Sequence, residues 1–453
     1  MHPIEKKVLK KVEPSDHERK KVGRLVEKLE KTAREVSHLE TVVAGSIGKD
    51  TWLKGDHDID LFILFSKDTS REDLEEKGLR YGEQIAKRLK TKPIRKYAEH
   101  PYTDLIVDGF SIDVVPCYQI EEGDQIQSAV DRSPLHLHYV SKNLTVSMKH
   151  EVLLLKQFCK GVGAYGSDAK HQGVSGYACE LLICWYKTFA NVLNEVAQWK
   201  PPIKIGQSPL TFANPFVLID PTDANRNVAA VLSADHFIRF ISAAKNYGKK
   251  PSIHYFFPPE RKPLAAQEIE TLKKRKSRFI AVIAQRPKLI DDNLYPQLRR
   301  ALRRLEHYLH ANEFMILRTI DTAEQEIAIV FELETWHLPR IKKMTGPPIY
   351  DHQNSENFLK KYGNEEFGPY VSDERWTVEK KREFEEAIMA LETFLHQTEK
   401  HLIEEGVPHE IAPQLRRARI VEGERFWTMV KKKKELSRVL REHYMRDART
   451  NVI

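Results

Sequence analysis

This sequence predicts a multidomain α+β protein, and three observations carry the expectation. Its 453 residues exceed what one hydrophobic core ordinarily organises, so two to four domains are expected. β-Branched runs and helical periodicity alternate over the first 120 residues, whereas helical spacing dominates the middle of the chain. Strand signals return after about residue 256.

Each element has its own warrant. Over 17 to 37, Val22, Leu25, Val26 and Leu29 fall near helical spacing and predict an amphipathic helix. TVVAGS is a short β-branched run that ends in Gly45-Ser46. IDLFILF, 59 to 65, is continuously apolar and suits a buried strand. A helix follows over 70 to 90. YTDLIVDGFSIDVVP, 102 to 116, reads as two strands joined near Asp108-Gly109, a turn dipeptide. From about 147 to 197 the pattern is helical, with a Gly-rich loop between MKHEVLLLKQFCKG and SGYACELLICWYKTFANVLNEV. Another helix is expected over 233 to 247, and VLIDPTDANRNVAA before it reads as an ordered loop.

Beyond 256, SRFIAVIAQ is a strand, NLYPQLRRALRRLEHYLHA a helix, and EFMILRTI and EIAIVFELE two strands joined at about Asp321 to Glu324. That β-α-β-β order fits an antiparallel sheet with helices on one face, as in half of a ferredoxin-type or RRM-type fold. Long charged helices are expected over 376 to 405 and 422 to 446. Neither an internal repeat nor a low-complexity linker is visible.

Composition narrows the function. Hydrophobic residues make up 41% and charged residues 30%, a globular composition with a heavily charged surface. No stretch of eighteen apolar residues suggests a membrane span, and the charged N-terminus MHPIEKKVLKKVEPSDHERKK lacks the apolar core of a secretion signal. A cytoplasmic protein is expected. Cys117, Cys159, Cys179 and Cys184 form no C-x-x-C pair and sit in apolar surroundings, so buried free thiols are expected. The net charge is +8, and residues 411 to 453 alone hold twelve Lys or Arg against five Asp or Glu. Arg416 with Arg419, and Lys431 with Lys434, are spaced to share helix faces, with Phe426, Trp427 and Tyr444 interleaved. Such a run meets a polyanion or is a solvated helix face.

The chemistry concentrates in GSIGKDTWLKGDHDIDLFILF and in SIDVVP behind it. Asp58 and Asp60 are two apart on a strand and therefore point to one face. Like charges at the entrance of an apolar strand call for a neutralising cation. Asp113 lies in a second apolar run, and if that strand pairs beside the first, three carboxylates converge. Hard oxygen ligands of this kind suit Mg²⁺, which keeps waters and takes further ligands from phosphates. Gly45-Ser46 would leave backbone N–H groups and a hydroxyl for phosphate oxygens, and Lys49 would add a point charge. These parts suit attack by a hydroxyl on an α-phosphate with two metal ions in place. A structural Ca²⁺ site and solvated acids at strand ends are the alternatives.

Over essentially its whole length the sequence resembles the archaeal-type CCA-adding enzymes, members of the polymerase-beta-like nucleotidyltransferases. The resemblance rests on the G-S…D-I-D-L-F block, YAEHPY, SIDVVPCY, DRSPLH, LLKQFCKGVGAYG, GVSGYACELLI and DPTDANRNVAA. It implies a nucleotidyltransferase head over 1–140, a helical nucleotide-binding neck over 141–255, and an RRM- or ferredoxin-like body with a helical tail over 256–453. It also implies template-independent addition of CCA to tRNA from CTP and ATP with two Mg²⁺ ions, and leaves a homodimer open. By position, Asp58, Asp60 and Asp113 match the family's metal-binding carboxylates, and Ser46 and Lys49 its phosphate-contacting positions. His136, Lys156 and Tyr165 match nucleotide-binding residues. Arg226 falls where the family places an arginine near the incoming base or RNA phosphate, and His100 falls in a similarly placed H-P-Y segment.

Two positions depart from the pattern: the family usually has Arg at Lys49 and often Gly at Asp50. Without the resemblance, Lys156 and Arg226 would read as a solvated helix side and a loop ion pair, Tyr165 as a loop aromatic and His136 as a surface residue. The competing enzyme class is a poly(A) polymerase or oligoadenylate synthetase relative, which shares the carboxylate set.

Overall fold

The computed structural model describes residues 1–97, 101–121, 123–260 and 262–445. They form two compact units, Met1–Pro259 and Glu260–Met445.

In the first unit, α1 (Pro3–Val12) is followed by α2 (Asp16–Ser37), which starts at a Ser15 cap reciprocated by Glu18. A five-stranded sheet follows, built from β1 (Thr41–Val43), β2 (Asp58–Phe65), β3 (Ile94–Tyr97), β4 (Pro101–Val107) and β5 (Phe110–Tyr118) in the order β1-β2-β5-β4-β3. The short helix α3 (Gly45–Gly48) lies between β1 and β2, and α4 (Arg71–Leu89) between β2 and β3. β2 and β5 run parallel, and the remaining pairs are antiparallel. On β2 the odd positions Ile59, Leu61, Ile63 and Phe65 are buried in one core with Leu25 and Leu29 of α2 and Leu74 and Ile85 of α4. The even positions Asp58, Asp60 and Phe62 therefore face the other side, where Phe62 meets Ala44, Val115 and Cys117. The period of two separates a packed face from a face that can carry charge.

The unit continues through α5 (Arg132–Asn143), α6 (Val146–Gly161), α7 (Gly176–Tyr186), α8 (Phe189–Val196) and α9 (Ala234–Lys249). Leu153, Leu154, Phe158, Leu181, Leu182, Phe189, Phe237 and Phe240 make their common core. The expected loop over VLIDPTDANRNVAA is instead two strands of a small sheet, β7 (Phe216–Asp220) and β8 (Asp223–Asn227), beside β6 (Ile203–Ile205). Only FVLID is apolar there. β8 is polar because it pairs at the sheet edge, which local pattern does not reveal.

The second unit begins with α10 (Ala266–Lys273) and holds the expected β-α-β-β run as β9 (Arg278–Gln285), α11 (Asp291–Ala311), β10 (Ile316–Thr322) and β11 (Glu326–Leu333). A fourth strand, β15 (Arg419–Glu422), joins from far down the chain to give the order β10-β11-β9-β15. Helices cover both faces, not one. α11 and α13 (Ala387–Leu395) pack one side, and α10, α16 (Gly423–Lys432) and α17 (Lys434–Tyr444) the other. The long helix expected over 376 to 405 is also corrected. Residues Arg375–Lys381 form β14, central in a three-stranded sheet with β12 (Ile341–Pro348) and β13 (Phe367–Ser372), and α13 and α14 (Glu399–Glu404) follow. Over 422 to 446 the helix is broken at Lys433. The shared faces expected there do not form. Arg416 ends a short helix whereas Arg419 opens a strand, and Lys431 and Lys434 straddle the break. Phe426 and Trp427 are core residues. All four cysteines are buried free thiols. Among the described residues, no helix is long and apolar enough to cross a membrane.

Candidate active site

The parallel pairing of β2 with β5 sets Asp60 directly beside Asp113. Antiparallel pairing of β5 with β4 then sets Asp113 beside Asp104. Three adjacent strands thus present a row of carboxylates on the face turned away from α2 and α4, with Asp58 two residues before Asp60. At the far end of the row the Lys96 ammonium lies 3.0 Å from Asp104 and 4.0 Å from Asp113. Ser111 also donates to Asp104, at 2.9 Å.

The electrostatics of the row are unsettled. Burial pushes the Asp113 carboxyl up to about 6, with Asp60, Asp104 and Asp58 adding to the shift and Lys96 opposing it. Asp60 is also raised, first by burial, with Asp58 adding and Lys49 opposing. Asp113 Oδ1 is buried and accepts no hydrogen bond. A lone pair in that condition, among repelling carboxylates, fits a cation ligand. Among the described residues, no three His, Cys, Asp or Glu side chains gather closely enough to cage an ion unaided. Waters and substrate oxygens would have to complete the shell, as suits Mg²⁺.

The Gly45-Ser46 turn closes over Asp60. Ala44 N–H donates to the Asp60 carbonyl at 3.0 Å, and Gly45 holds a left-handed φ of 62°. A Cβ at Gly45 would overlap the Asp60 Oδ2 atom, so this glycine is required by both backbone and space. Ser46 is half-buried on the same turn, and Asp50 also has positive φ, 54°, which accounts for glycine suiting that position. The Asp50 charge is answered by Arg19 and by Lys149, the latter at 3.4 Å.

Lys49 leads from the carboxylates into the helices. Its ammonium donates to Glu180 Oε2 at 2.6 Å and lies 5.2 Å from the centre of the Tyr177 ring. Lys156 on α6 donates to Glu180 Oε1 at 2.8 Å and to Thr51 through its carbonyl at 2.9 Å and hydroxyl at 3.0 Å. Burial works against the Glu180 charge, yet the two ammoniums hold its carboxyl down to about 2. Tyr165 is half-buried with its hydroxyl over Gly176, near the end of the Lys156 side chain. Burial pushes that phenol well up.

Tyr177, one turn before Glu180, connects to a second cluster. It stacks on His136 with ring centres 3.8 Å apart and donates to Asp220 Oδ1 at 3.1 Å. His136 Nε2 and Arg226 Nη1 each lie 2.8 Å from Asp220 Oδ2, and Thr222 donates to Oδ1. Burial lowers the His136 pKa below the ordinary imidazole value, against the hydrogen bond and charge of Asp220, which raise it. Asp220 is held below the usual carboxylate range despite burial, by the hydrogen bonds from His136 and Thr222.

The structure thus brings Asp58, Asp60, Asp113, Gly45, Ser46, Lys49, Lys156, Tyr165, His136 and Arg226 into one connected region. His100 lies outside the described residues. The sequence reading missed Asp104, Lys96, Thr51, Tyr177, Glu180 and Asp220. A signal existed for two of these: Glu180 is the one charge in GYACELLICWY, and Asp220 ends the apolar run FVLID.

Residues 25–136 match a family model described as a nucleotidyltransferase domain, 150–257 one described as tRNA nucleotidyltransferase, second domain, and 275–421 one described as CCA-adding enzyme, C-terminal domain. A CCA-adding enzyme of Methanosarcina acetivorans is 38% identical over 401 residues, covering 86% of this chain and 88% of that protein. One from Methanocaldococcus jannaschii is 38% identical over 80% of this chain and 84% of that protein. One from Archaeoglobus fulgidus is 36% identical over 84% and 86%.

Proposed function

The chain belongs to the family of archaeal CCA-adding enzymes, and from that premise we propose how the residues of its site divide the work. The protein is a nucleotidyltransferase that builds the 3′-terminal CCA of tRNA. Nucleotidyltransferases of this type use nucleoside triphosphates and divalent metal ions. We propose CTP and ATP as the triphosphates and two Mg²⁺ ions as the metals.

The carrying observation is the row of Asp60 and Asp113 on paired strands, with the buried Asp113 Oδ1 accepting no hydrogen bond. Asp58, Asp60 and Asp113 would hold the ions. Bound there, the metals would lower the pKa of the attacking hydroxyl and neutralise charge on the leaving pyrophosphate. The chain's own groups do the rest. The first N–H groups of α3 have no partner within the helix, so the turn at Gly45 and Ser46 offers donors to phosphate oxygens. Lys49 and Lys156 supply positive charge, and Tyr165 lies beside them. His136 and the half-exposed Arg226, both anchored on Asp220, offer hydrogen bonds and charge to the base or the RNA backbone. With a division into 1–140, 141–255 and 256–453, the first part would hold the metals, the first and second would share the contacts to the nucleotide and its phosphates, and the third would meet tRNA.

A poly(A) polymerase or oligoadenylate synthetase relative would share the carboxylates. The match of residues 275–421 to the CCA-adding C-terminal domain favours CCA addition instead. The test is incubation of the purified protein with tRNA lacking CCA and labelled CTP and ATP. Three additions followed by a stop are expected, and an open-ended oligo(A) product would overturn the reading.

A further inference from the structure

Glu180 stands in the middle of an apolar helix, with 1% of its side chain exposed. Its carboxylate collects three donors from two distant segments. Lys49 binds one oxygen, and Lys156 and the Thr51 hydroxyl bind the other at 2.8 and 2.6 Å. Lys49 and Thr51 belong to the turn that follows the Gly-Ser segment, whereas Lys156 comes from α6. Burying a carboxylate with two ammoniums is not an efficient way to stabilise a core, since apolar side chains of the same volume do as well or better. The cluster makes sense as preparation for a polyanion. With three accepting oxygens around it, Lys156 has all three of its N–H groups engaged. Lys49 donates to Glu180 and acts electrostatically on both Asp60 and His136, so it stands between the carboxylate row and the second cluster.

We propose that Glu180 is a positioning residue for nucleotide binding: its carboxylate takes the place of a phosphate, so that an incoming triphosphate meets the Lys49 and Lys156 ammoniums already side by side. The proposal rests on the reading of those lysines as phosphate contacts. The charged and titratable groups around the carboxylate are Lys49, Lys156, Tyr165, and Tyr177 and Cys184 of its own helix. Without the anion the two ammoniums repel each other and spread, and the triphosphate must gather them itself. Because every nucleotide carries the same triphosphate, the effect should not depend on the base.

The test is steady-state incorporation by the full-length enzyme on tRNA lacking CCA, with Glu180→Gln and Glu180→Asp. Glu180→Gln should raise KM for CTP and for ATP alike, by about tenfold or more, the scale of removing one charge-assisted bond. At saturating nucleotide kcat should stay within about threefold of the wild type, and KM for tRNA should not move. Glu180→Asp keeps a buried anion that supports folding, but its carboxylate is withdrawn by about 1.5 Å and reaches one ammonium instead of two. Its KM should fall between the other two, and it carries the test if the Gln variant does not fold. Wild-type KM values in the folded variants, with only a lower Tm, would make Glu180 a strut and overturn the inference. So would an effect confined to one nucleotide. Lys49→Ala and Lys156→Ala separate the two levels: if they raise KM and Glu180→Gln does not, only this inference fails, and if they leave KM unchanged the phosphate-contact reading fails.

Discussion

Replacing Asp113 with Asn should stabilise the metal-free protein while abolishing its activity. Its carboxyl is raised from 3.8 to about 6, first by burial and then by Asp60, Asp104 and Asp58. Below pH 3.8 both the folded and the unfolded chain hold the proton, and the group costs nothing. As pH rises from there towards 6 the unfolded chain ionises first, so the folded state falls behind. Above 6 the full penalty applies. About two pKa units correspond to about 3 kcal/mol. With 32% of the side chain exposed, solvent screening reduces that to about 1–2 kcal/mol. For a unit of this size the gain is about 2–8 °C in Tm. The assay is thermal unfolding at pH 7.5 in EDTA, repeated near pH 4, where the advantage should vanish, and with Mg²⁺. The wild type should gain stability from Mg²⁺ and Asp113→Asn should not, because the cation and the substitution relieve the same repulsion. Nucleotide incorporation should fall by at least about 100-fold, the scale of about 2.7 kcal/mol of transition-state charge stabilisation. A variant less stable than the wild type in EDTA at pH 7.5, or one that keeps the Mg²⁺ response, would refute the reasoning.

Other perturbations test other parts of the site. Gly45→Ala places a methyl against Asp60 Oδ2 at a left-handed φ, and should cut incorporation at least about 100-fold, with tRNA affinity in a filter-binding assay unchanged. Arg226→Ala removes a half-exposed partner from Asp220 while His136, Tyr177 and Thr222 remain. It should cost less than about 1 kcal/mol of stability yet raise nucleotide KM, and an unchanged KM counts against its role in the site. Lys431, Lys432 and Lys434 are exposed, whereas Lys433 pairs with Glu326. Replacing the three exposed lysines with Ala should weaken tRNA binding and flatten its dependence on log salt, by about 0.7–0.9 for each phosphate no longer neutralised, with CTP affinity unmoved. A slope equal to the wild type's would make them a solvated face.

How far the sequence spoke for itself depends on the range of each interaction. Asp58 and Asp60 were legible because a strand's period of two is local, and IDLFILF declares which face is packed. That Asp113 stands beside Asp60 follows only from the pairing of β2 with β5, with α4 and two strands between them in sequence. The apolar run SIDVVP permitted that pairing without requiring it. The same limit hid the strand at Arg375–Lys381, where Trp376 and Val378 alternate inside a charged stretch and the neighbours that make it a strand are β12 and β13. Phe426 and Trp427 were visible as aromatics among basic residues, but their partner Phe279 lies far upstream, so their place in a core was not.

One local rule would have recovered more. A charged residue inside an apolar run must find a partner, because burying it alone is prohibitive. Applied to GYACELLICWY, FVLID and EIAIVFEL, the rule picks out Glu180, Asp220 and Glu332, and all three are buried and paired. It does not say what the pairing is for. Glu332 is satisfied by Arg275, Ser277 and Tyr444, a closed set within the second unit that asks for nothing from outside. Asp113 is half-buried, yet its enclosed Oδ1 atom accepts no hydrogen bond and its neighbours are carboxylates. Glu180 falls between: it is fully paired, but by two ammoniums that a stronger anion could claim. What separates a strut from a site is therefore not that a charge is buried but whether its partners are complete without a ligand, and that is a property of the folded arrangement.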